Sequence, residues 1–475
     1  MYTSIKINRP VSEGHKIKFT WESPELDSLF RNGLNFIEIE YYEDLKFDLR
    51  TSYNQAICLL FPIIEKSITG PKEVSFEDTQ VGEDIQNWID LRQFQTISIS
   101  SEMIFKSVKS KKTSNENKNG NRIALLYGGG KDSLGALSVF SNLYPDEAIN
   151  LLRVHWSKQS VRRHREIFHK EVFKPIEKKV NVNLVECSST LHFNLLKRET
   201  AHSIGIHFYH GCFLPLYDKY QFKIINYSYD AMEFYTKPSI GYVSIRPEKA
   251  RETSSLLASL SINSELRNIS FGIPSFLHFD IIKSDRRGLL NLTYMCEDTK
   301  NKWCYNCRKC FTFGILGLEQ GLNPEEIGFS YSDLFAEKGY IQNKVIPLLK
   351  RKLESTSEEK GNMPGAKFYD PILSYKLQFS SLKHSLSLID VEMLSKNEVL
   401  SQENIEQLEI ICNLYAEKCP ESRMIWEEAV KFEASEDWHM FMQYYKKINL
   451  HLDSRKSLSI NNDRNYSYNF SGELT

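Results

Sequence analysis

The sequence lacks an uninterrupted apolar run of the roughly 18 residues that a membrane-spanning helix needs. Its first residues, MYTSIKINRPVSEGHK, also lack the apolar core of an export signal. These absences predict a cytoplasmic protein with no membrane partner. An excess of positive charge is missing as well, since 60 Lys and Arg stand against 61 Asp and Glu. This balance argues against nucleic acid as the main ligand, because proteins that bind its backbone neutralise many phosphates.

A disulfide framework is also absent from the pattern of cysteines. The nine cysteines are an odd number, and four of them crowd between Cys296 and Cys310. Such crowding favours a metal site in a reducing compartment over disulfide bonds. The other five lie in mostly apolar surroundings and are predicted to be core thiols: Cys58, Cys187, Cys212, Cys412 and Cys419.

The length of 475 residues predicts more than one domain, because a single hydrophobic core rarely grows so large. Residues 1–105 alternate the short β-like runs KIKFTWE, NFIEIEYY and TISIS with one apolar helical stretch, SYNQAICLLFPIIEKSI. We therefore predict a small N-terminal α+β domain. Residues 106–122 contain almost no apolar side chain and many Lys, Asn and Ser, which predicts an exposed linker.

From residue 123 onward, short apolar runs alternate with amphipathic helical patterns. The runs are IALLY, INLLRVHW, VNLVECS, FKIINYS and NISFGI. Strands separated by helices need crossover connections, so we predict an α/β domain over 123–350 whose parallel sheet carries helices on both faces. A helical C-terminal region is predicted over 366–452, and the polar residues 453–475 are predicted to form a disordered tail.

A strand pattern ends in three glycines and turns at once into a helical pattern at NGNRIALLYGGGKDSLGALSVF, residues 119–140. The first N–H groups of a helix have no partner within it, and the helix dipole places positive charge behind them. Such a turn is typical of a phosphate site. Lys131 and Ser133 add a charge and a hydroxyl where a phosphate needs them, which favours this interpretation over a ligand-free Gly-rich turn.

Two familiar phosphate loops do not fit the spacing. A Walker A motif requires a glycine five residues before Gly130, where the sequence has Leu125, and Ser or Thr at the position of Asp132. A dinucleotide fingerprint requires Gly or Ala three residues after Gly130, where Ser133 stands. The loop therefore belongs to another class.

The four clustered cysteines are spaced Cys-x7-Cys-x2-Cys-x2-Cys. Four thiolates so close in the chain can complete a tetrahedron around Zn²⁺, and four protein ligands leave no position for a reacting water. We therefore predict a structural zinc site, with an iron–sulfur cluster as the alternative that the spacing leaves open. The predicted metal ligands are Cys296, Cys304, Cys307 and Cys310.

The glycine segment resembles the Ser-Gly-Gly-x-Asp-Ser loop of the N-type ATP pyrophosphatases, the PP-loop superfamily, in all but its first residue, Gly128. That departure removes one hydroxyl but leaves the backbone donors. The resemblance implies an adenine nucleotide alpha hydrolase-like fold whose loop holds the phosphates of ATP and releases pyrophosphate while AMP passes to the substrate. The implied ATP-binding residues are Tyr127, Gly128, Gly129, Gly130, Lys131, Asp132, Ser133 and Leu134, with Lys131, Asp132 and Ser133 as the catalytic group.

The glycine loop and the cysteine spacing together resemble the 7-cyano-7-deazaguanine synthase family over roughly residues 123–321, and extended relatives of that synthase occur in bacterial anti-phage gene clusters. A second resemblance is to the ATP-using L-glutamyl epimerase that acts on a UDP-muramoyl dipeptide, whose ending is similar to KWCYNCRKCF. Both resemblances imply adenylation of a substrate carboxylate with ATP and Mg²⁺. A third interpretation is a nucleotide-binding scaffold without turnover, whose N- and C-terminal regions bind a protein partner.

Three further stretches are candidates for the rest of the pocket, because ligands of open parallel sheets bind beyond the carboxyl ends of the strands. NYSYDAMEF supplies Asp230 and Glu233 for Mg²⁺ or a substrate amine, with a solvated helix start as the alternative. HFDIIKSDRRG supplies Lys283, Arg286 and Arg287 for phosphate or carboxylate, with a plain surface patch as the alternative. The basic stretch SKQSVRRHRE, with Lys158, Arg162, Arg163 and Arg165, is typical of a solvated helix face, with binding of a nucleotide or an acidic partner as the alternative.

Overall fold

The computed structural model describes residues 2–77, 97–99, 123–155, 161–196, 206–228, 264–267, 275–296, 302–347 and 389–418, together with residues 257, 262 and 269. Eleven strands among these residues join one sheet. They are β1 Thr3–Ile7, β2 Val11–Glu13, β3 Lys16–Glu22, β4 Phe36–Tyr41, β5 Lys72–Phe76, β6 Ile97–Ile99, β7 Ile123–Leu126, β8 Ile149–His155, β9 Val182–Ser189, β10 Ile224–Asn226 and β11 Glu265–Arg267. The order across the sheet is β11-β10-β7-β8-β9-β4-β3-β1-β5-β6, and β2 pairs with β3.

The five strands from β11 to β9 are parallel, which confirms the general α/β class. From β7 the chain proceeds through β8 to β9 on one side and through β10 to β11 on the other, so the strand order reverses at β7. In such sheets the crevice beyond the carboxyl ends at the reversal is the usual ligand position. Here that position belongs to the residues that follow β7.

The strands β7 to β10 lie on four of the five predicted runs, and the fifth run, NISFGI, lies outside the described residues except for Ile269. β11 lies at Glu265–Arg267, just before NISFGI. Its residues pair with Ile224–Asn226 of β10, whereas the N–H of Ile269 donates to the side chain of Asn226 at 3.1 Å.

The helices are α1 Pro24–Asp27, α2 Leu49–Ser67, α3 Lys131–Leu143, α4 Val161–Phe168, α5 Lys174–Glu177, α6 Leu191–Asn194, α7 Ile206–Tyr220, α8 Ser275–Ser284, α9 Arg308–Glu319, α10 Pro324–Ile327, α11 Tyr331–Phe335, α12 Val391–Lys396 and α13 Gln402–Lys418. A π-helical turn, His169–Phe173, joins α4 to α5. Among the described residues, no helix is both long enough and apolar enough to cross a membrane.

Alternate residues of β7 enter two different hydrophobic cores. Ile123 and Leu125 pack with residues of α3, α8 and α9, whereas Ala124 and Leu126 pack with residues of α2 and α7. Because side chains alternate between the two faces of a strand, helices cover both faces of the parallel sheet.

The N-terminal strands continue this same sheet. β4 pairs antiparallel with β9, with Ile39 opposite Ser189, and α2 lies against α7. The strands β3, β4 and β6 and the helix α2 fall on the runs that the sequence indicated. The predicted linker at residues 106–122 lies outside the described residues, so the division into an N-terminal domain and a parallel-sheet domain stays a prediction.

Two helices, α12 and α13, lie within the predicted helical C-terminal region, residues 366–452. Leu394, Leu408 and Ile411 of these helices are buried in the same core as α9. The rest of the predicted region 366–452, and the predicted tail, lie outside the described residues. The described C-terminal helices thus add buried side chains to the core that contains α9.

Candidate functional site

The glycine loop joins β7 to α3 where the strand order reverses. The N–H of Tyr127 still donates to the carbonyl of Leu152 on β8, at 2.8 Å. α3 begins at Lys131 with Gly130 as its N-cap, and no side chain caps this helix start. The N–H of Leu134 donates to the carbonyl of Gly130 at 2.9 Å and opens the helical ladder. The N-terminus of α3 therefore lies at the expected ligand position with backbone donors that the helix itself does not use.

Gly129 is the point of closest approach in this loop. Its φ is +82°, in the left-handed region that favours glycine. A Cβ on Gly129 would lie 3.2 Å from the Cβ of Tyr294, and one on Gly130 would lie 3.7 Å from the Cγ of Met295. The next residue after these two neighbours is Cys296, so the first predicted metal ligand is adjacent in sequence to the wall of the glycine loop.

Each carbonyl that precedes one of the three glycines accepts a hydrogen bond. Arg153 Nη1 donates to the carbonyls of Tyr127 and Gly128, at 3.4 and 3.0 Å. The N–H of Tyr294 donates to the carbonyl of Gly129 at 2.6 Å. The carbonyl and the N–H of a trans peptide point in opposite directions, so the N–H groups of the three glycines are directed away from these donors. Within the described part of the chain they donate to no acceptor, and successive free N–H groups form an anion-binding concavity.

The polar side chains of the loop lie at the start of α3. Lys131 is only 4% exposed, and its Nζ forms an ion pair with the carboxylate of Asp132. The hydroxyl of Ser133 donates to the carbonyl of Gly130 at 3.1 Å. An ammonium, a carboxylate and a hydroxyl are thus held in the first turn of the helix, beside the backbone donors.

The Glu186 cluster, which sequence reasoning missed, lies beside the loop near the ends of β8 and β9. The Glu186 carboxylate is hydrogen-bonded to His155 Nε2 at 2.9 Å, to Arg165 Nε at 2.7 Å and to His169 Nε2 at 3.0 Å. The guanidinium of Arg165 also lies 3.9 Å from the ring centre of Tyr42, which follows β4. The N-terminal strands therefore contribute the Tyr42 side chain next to the site. His169 lies in the π-helical turn, and such turns are frequent at functional sites.

The ionisation of this cluster follows from its contacts. Burial alone would raise the pKa of Glu186, but hydrogen bonds from His155 and Arg165 outweigh it and lower the pKa to about 2. Burial lowers the pKa of His155 to about 4, against the opposing effect of its hydrogen bond to Glu186. At neutral pH the carboxylate is therefore ionised and the His155 imidazole is neutral. A glutamate inside the apolar run VNLVECS was the signal that could have revealed this cluster.

The four predicted metal ligands come together at the N-terminus of α9. All four Sγ atoms lie within 4.8 Å of one another, with Cys307 and Cys310 at 3.5 Å and Cys304 and Cys310 at 4.0 Å. Sulfurs on a tetrahedron around Zn²⁺ at 2.3 Å are separated by roughly 3.8 Å, so the geometry fits a metal ion such as zinc. The N–H of Cys304 also donates to the Sγ of Cys296, at 3.2 Å.

Without a metal ion, the closeness of the four sulfur atoms favours the protonated thiols of Cys296 and Cys310. Hydrogen bonds with the neighbouring cysteines raise the pKa of Cys296 and of Cys310 well above the ordinary thiol value. A divalent cation reverses that preference, because a coordinating thiol is deprotonated. The close approach of the four sulfur atoms is therefore most favourable when a cation is bound between them.

The predicted basic group near the first cysteine lies away from the glycine loop. Arg287 forms an ion pair with Asp285 at 2.5 Å and donates to the hydroxyl of Ser141 at 2.8 Å. Ser141 lies roughly 16 Å along α3 from Gly130, at 1.5 Å per residue. Lys283 donates to the side chain of Gln320 at 2.8 Å. In the described structure these contacts connect helices, and they do not bring either cation to the loop.

The remaining predicted candidates are placed as follows. Arg286 is exposed on the surface beside Arg287. Asp230 and Glu233 lie outside the described residues, as does the start of the basic stretch SKQSVRRHRE. Their predicted roles therefore stay predictions.

Comparison with models of protein families, with curated proteins and with solved structures found no match to this chain. The functional conclusion therefore depends on the geometry of the glycine loop and of the four cysteines.

Proposed function

We propose that the glycine loop binds the phosphates of ATP and that the protein transfers AMP to a substrate carboxylate. The observation that carries this proposal is the set of three successive glycine N–H groups at the N-terminus of α3, at the reversal of the parallel strand order. The fold is then of the PP-loop, adenine nucleotide alpha hydrolase-like type. The activity resembles that of the 7-cyano-7-deazaguanine synthases.

The proposed step is an in-line displacement at the α-phosphorus. A carboxylate oxygen of the substrate forms a bond to that phosphorus, and the bond to the bridging oxygen of the β-phosphate breaks. Pyrophosphate leaves with the electron pair, and the substrate becomes an acyl adenylate. The loop N–H groups and Lys131 stabilise the charge that develops on the phosphates. Asp132 would be the carboxylate of the loop that holds Mg²⁺, which would supply further stabilisation of this charge when bound.

The acyl adenylate makes the carboxyl carbon reactive. Delocalised negative charge shields the carbon of a free carboxylate from nucleophiles, and the adenylate removes that charge and supplies AMP as a leaving group. A nucleophile then forms a bond to the carbon while the bond to AMP breaks. This second half separates the candidate enzymes, since the synthase type and the epimerase type share only the first half.

We propose that the four cysteines bind one structural Zn²⁺. The four sulfurs fill the coordination shell of a tetrahedral ion, so the metal supplies a cross-link and no catalytic water. Cys296 follows directly after Tyr294 and Met295, which contact the glycine loop. The cross-link would therefore hold the wall of the loop in place.

Product analysis tests the proposal. With ATP, Mg²⁺ and a panel of carboxylate substrates, we expect AMP and pyrophosphate, and we expect isothermal titration calorimetry to detect ATP–Mg²⁺ without any substrate. Asp132→Ala should abolish turnover and weaken ATP–Mg²⁺ binding, and the exposed Asp146→Ala serves as the matched control. Formation of ADP and phosphate, or unchanged ATP binding in the Asp132→Ala, Ser133→Ala double variant, would contradict the proposal. AMP formation only with UDP-muramoyl-L-Ala-L-Glu would favour the epimerase type.

A further inference from the structure

Arg153 lies inside an apolar strand and reaches the glycine loop from behind. β8 pairs with β7, and the residue before Arg153 accepts the hydrogen bond from the Tyr127 N–H. This pairing places Arg153 directly beside the loop. Its Nη1 then lies 3.4 Å from the carbonyl oxygen of Tyr127 and 3.0 Å from that of Gly128.

We infer that Arg153 is a positioning residue that fixes the first two peptide units of the phosphate loop with their N–H groups facing the nucleotide. The inference rests on the proposed function and deepens it, because it names the group that shapes the anion site. The carbonyl of Tyr127 and the N–H of Gly128 belong to one planar peptide, as do the carbonyl of Gly128 and the N–H of Gly129. A donor that holds the two carbonyls therefore also sets the direction of the two N–H groups.

The side chain of Arg153 is itself held in place. Its guanidinium lies 4.6 Å from the ring centre of Phe168, which is fully buried. The same ring contacts the ring of Tyr127, with 6.3 Å between the ring centres. Arg153 is also directly opposite Glu186 in the pairing of β8 with β9, and that carboxylate is ionised. A stacked ring and a neighbouring negative charge thus fix the plane and the charge of the guanidinium.

The direction of the peptide units matters because glycine rotates easily. A glycine without side-chain restraint populates conformations that other residues avoid. If the peptide between Gly128 and Gly129 turned over, its carbonyl oxygen would face the phosphate and repel it. Two hydrogen bonds from a cation oppose that rotation, because a turned peptide loses its charge-assisted bond.

Lysine cannot reproduce this arrangement. An ammonium is a compact, strongly hydrated point charge, whereas a guanidinium is planar and presents its donors in a fixed fork while it stacks on a ring. The change Arg153→Lys therefore keeps the positive charge near the phosphates and removes the fixed orientation. It separates a positioning role from simple electrostatic attraction.

The experiment compares three ligands by isothermal titration calorimetry: ATP–Mg²⁺, inorganic pyrophosphate with Mg²⁺, and adenosine. For Arg153→Met we expect the affinity for ATP and for pyrophosphate to fall by about 10- to 100-fold, the scale of hydrogen bonds to a charged group, and the affinity for adenosine to stay nearly unchanged. For Arg153→Lys we expect a loss of the same kind. The matched control is Arg31→Met, because Arg31 also donates to a backbone carbonyl, that of Leu195 at 3.3 Å, and lies 5.9 Å from a ring centre, that of Phe193. Its removal should leave all three affinities unchanged.

The outcomes separate this inference from the proposed function. If the unmodified protein binds neither ATP nor pyrophosphate, the proposed function fails and the inference fails with it. If the unmodified protein binds both and Arg153→Met binds them equally well, only the role of Arg153 is refuted. Full affinity for ATP and pyrophosphate in Arg153→Lys would show that residue 153 acts through its charge and does not position the loop. An equal loss of affinity for adenosine in Arg153→Met would show that the substitution distorts the fold generally. Should Arg153→Met fail to fold, Arg153→Lys decides the matter.

Discussion

A methyl group added at Gly129 should strain the loop, and the structure allows the size of the effect to be estimated. An L-residue in the left-handed region costs about 1–2 kcal/mol, and Gly129 has a φ of +82°. The new Cβ would lie 3.2 Å from the Cβ of Tyr294 and 3.4 Å from its carbonyl oxygen, so this neighbour must move as well. The smaller conformational freedom of alanine in the unfolded chain returns about 0.4–1 kcal/mol. These two effects leave roughly 0–1.6 kcal/mol, and the displacement of Tyr294 adds to the loss, so we expect Gly129→Ala to lower the free energy of unfolding by about 1–2 kcal/mol.

Thermal unfolding measures this loss, and Gly128→Ala provides the control. A loss of that size lowers the midpoint by roughly 2–8 °C in a domain of 150–250 residues. Gly128 is exposed, and its φ is outside the left-handed region. Among the described residues, the only atom within 4 Å of its added Cβ is Arg153 Nη1, at 3.9 Å. Its midpoint should therefore change little. ATP affinity should fall in Gly129→Ala as well, because Tyr294 also donates to the loop. A Gly129→Ala protein as stable as the unmodified one would refute the reasoning about the loop.

The remaining predictions concern the metal, the buried histidine and the predicted linker. Element analysis should find about one Zn per chain, lost in Cys307→Ser but kept in the control Cys412→Ser; iron with sulfide, or no metal, would contradict the zinc site. Because the pKa of His155 is lowered to about 4 from its ordinary 6.5, its contribution to stability is complete above pH 6.5 and is lost as pH falls towards 4. The urea concentration at the unfolding midpoint should fall less between pH 6.5 and pH 4 in His155→Gln than in the unmodified protein. An equal fall in the two proteins would contradict the lowered pKa of His155. Mild proteolysis should cut first within residues 106–122, and a first cut within 123–349 would place the boundary elsewhere.

The local part of the site was predictable from the sequence. Apolar IALLY, three glycines and a helical pattern follow one another without interruption, so β7, the turn and α3 could be placed by short-range rules. The four cysteines lie within fifteen residues, so their meeting also follows from local spacing. Three of the five predicted core thiols, Cys58, Cys187 and Cys212, are buried, whereas Cys412 is half-buried and Cys419 lies outside the described residues.

The long-range part of the site was not predictable. About 165 residues separate Gly130 from Met295, and no sequence pattern indicates that the cysteine segment forms the wall of the loop. The pairing of β4 with β9 joins residues about 150 apart, and the alternating pattern FIEIEY suits many partners equally well. Arg153 and Glu186 did carry a signal, because each is a charge inside an otherwise apolar parallel strand. Such charges need partners, and here they lie opposite each other across two strands.

The continuity of the sheet has a consequence for any attempt to express the parallel strands without the N-terminal ones. A fragment that begins at residue 123 would leave β9 as an open edge, with a row of backbone groups that β4 now satisfies. It would also expose to water the side of α7 that lies against α2, where a Cβ added at Gly211 would lie 2.8 Å from the side chain of Leu59. Open edges and uncovered apolar faces promote self-association. Expression of residues 123–475 alone should therefore yield aggregates, because β4 and α2 would no longer cover this edge and this helix.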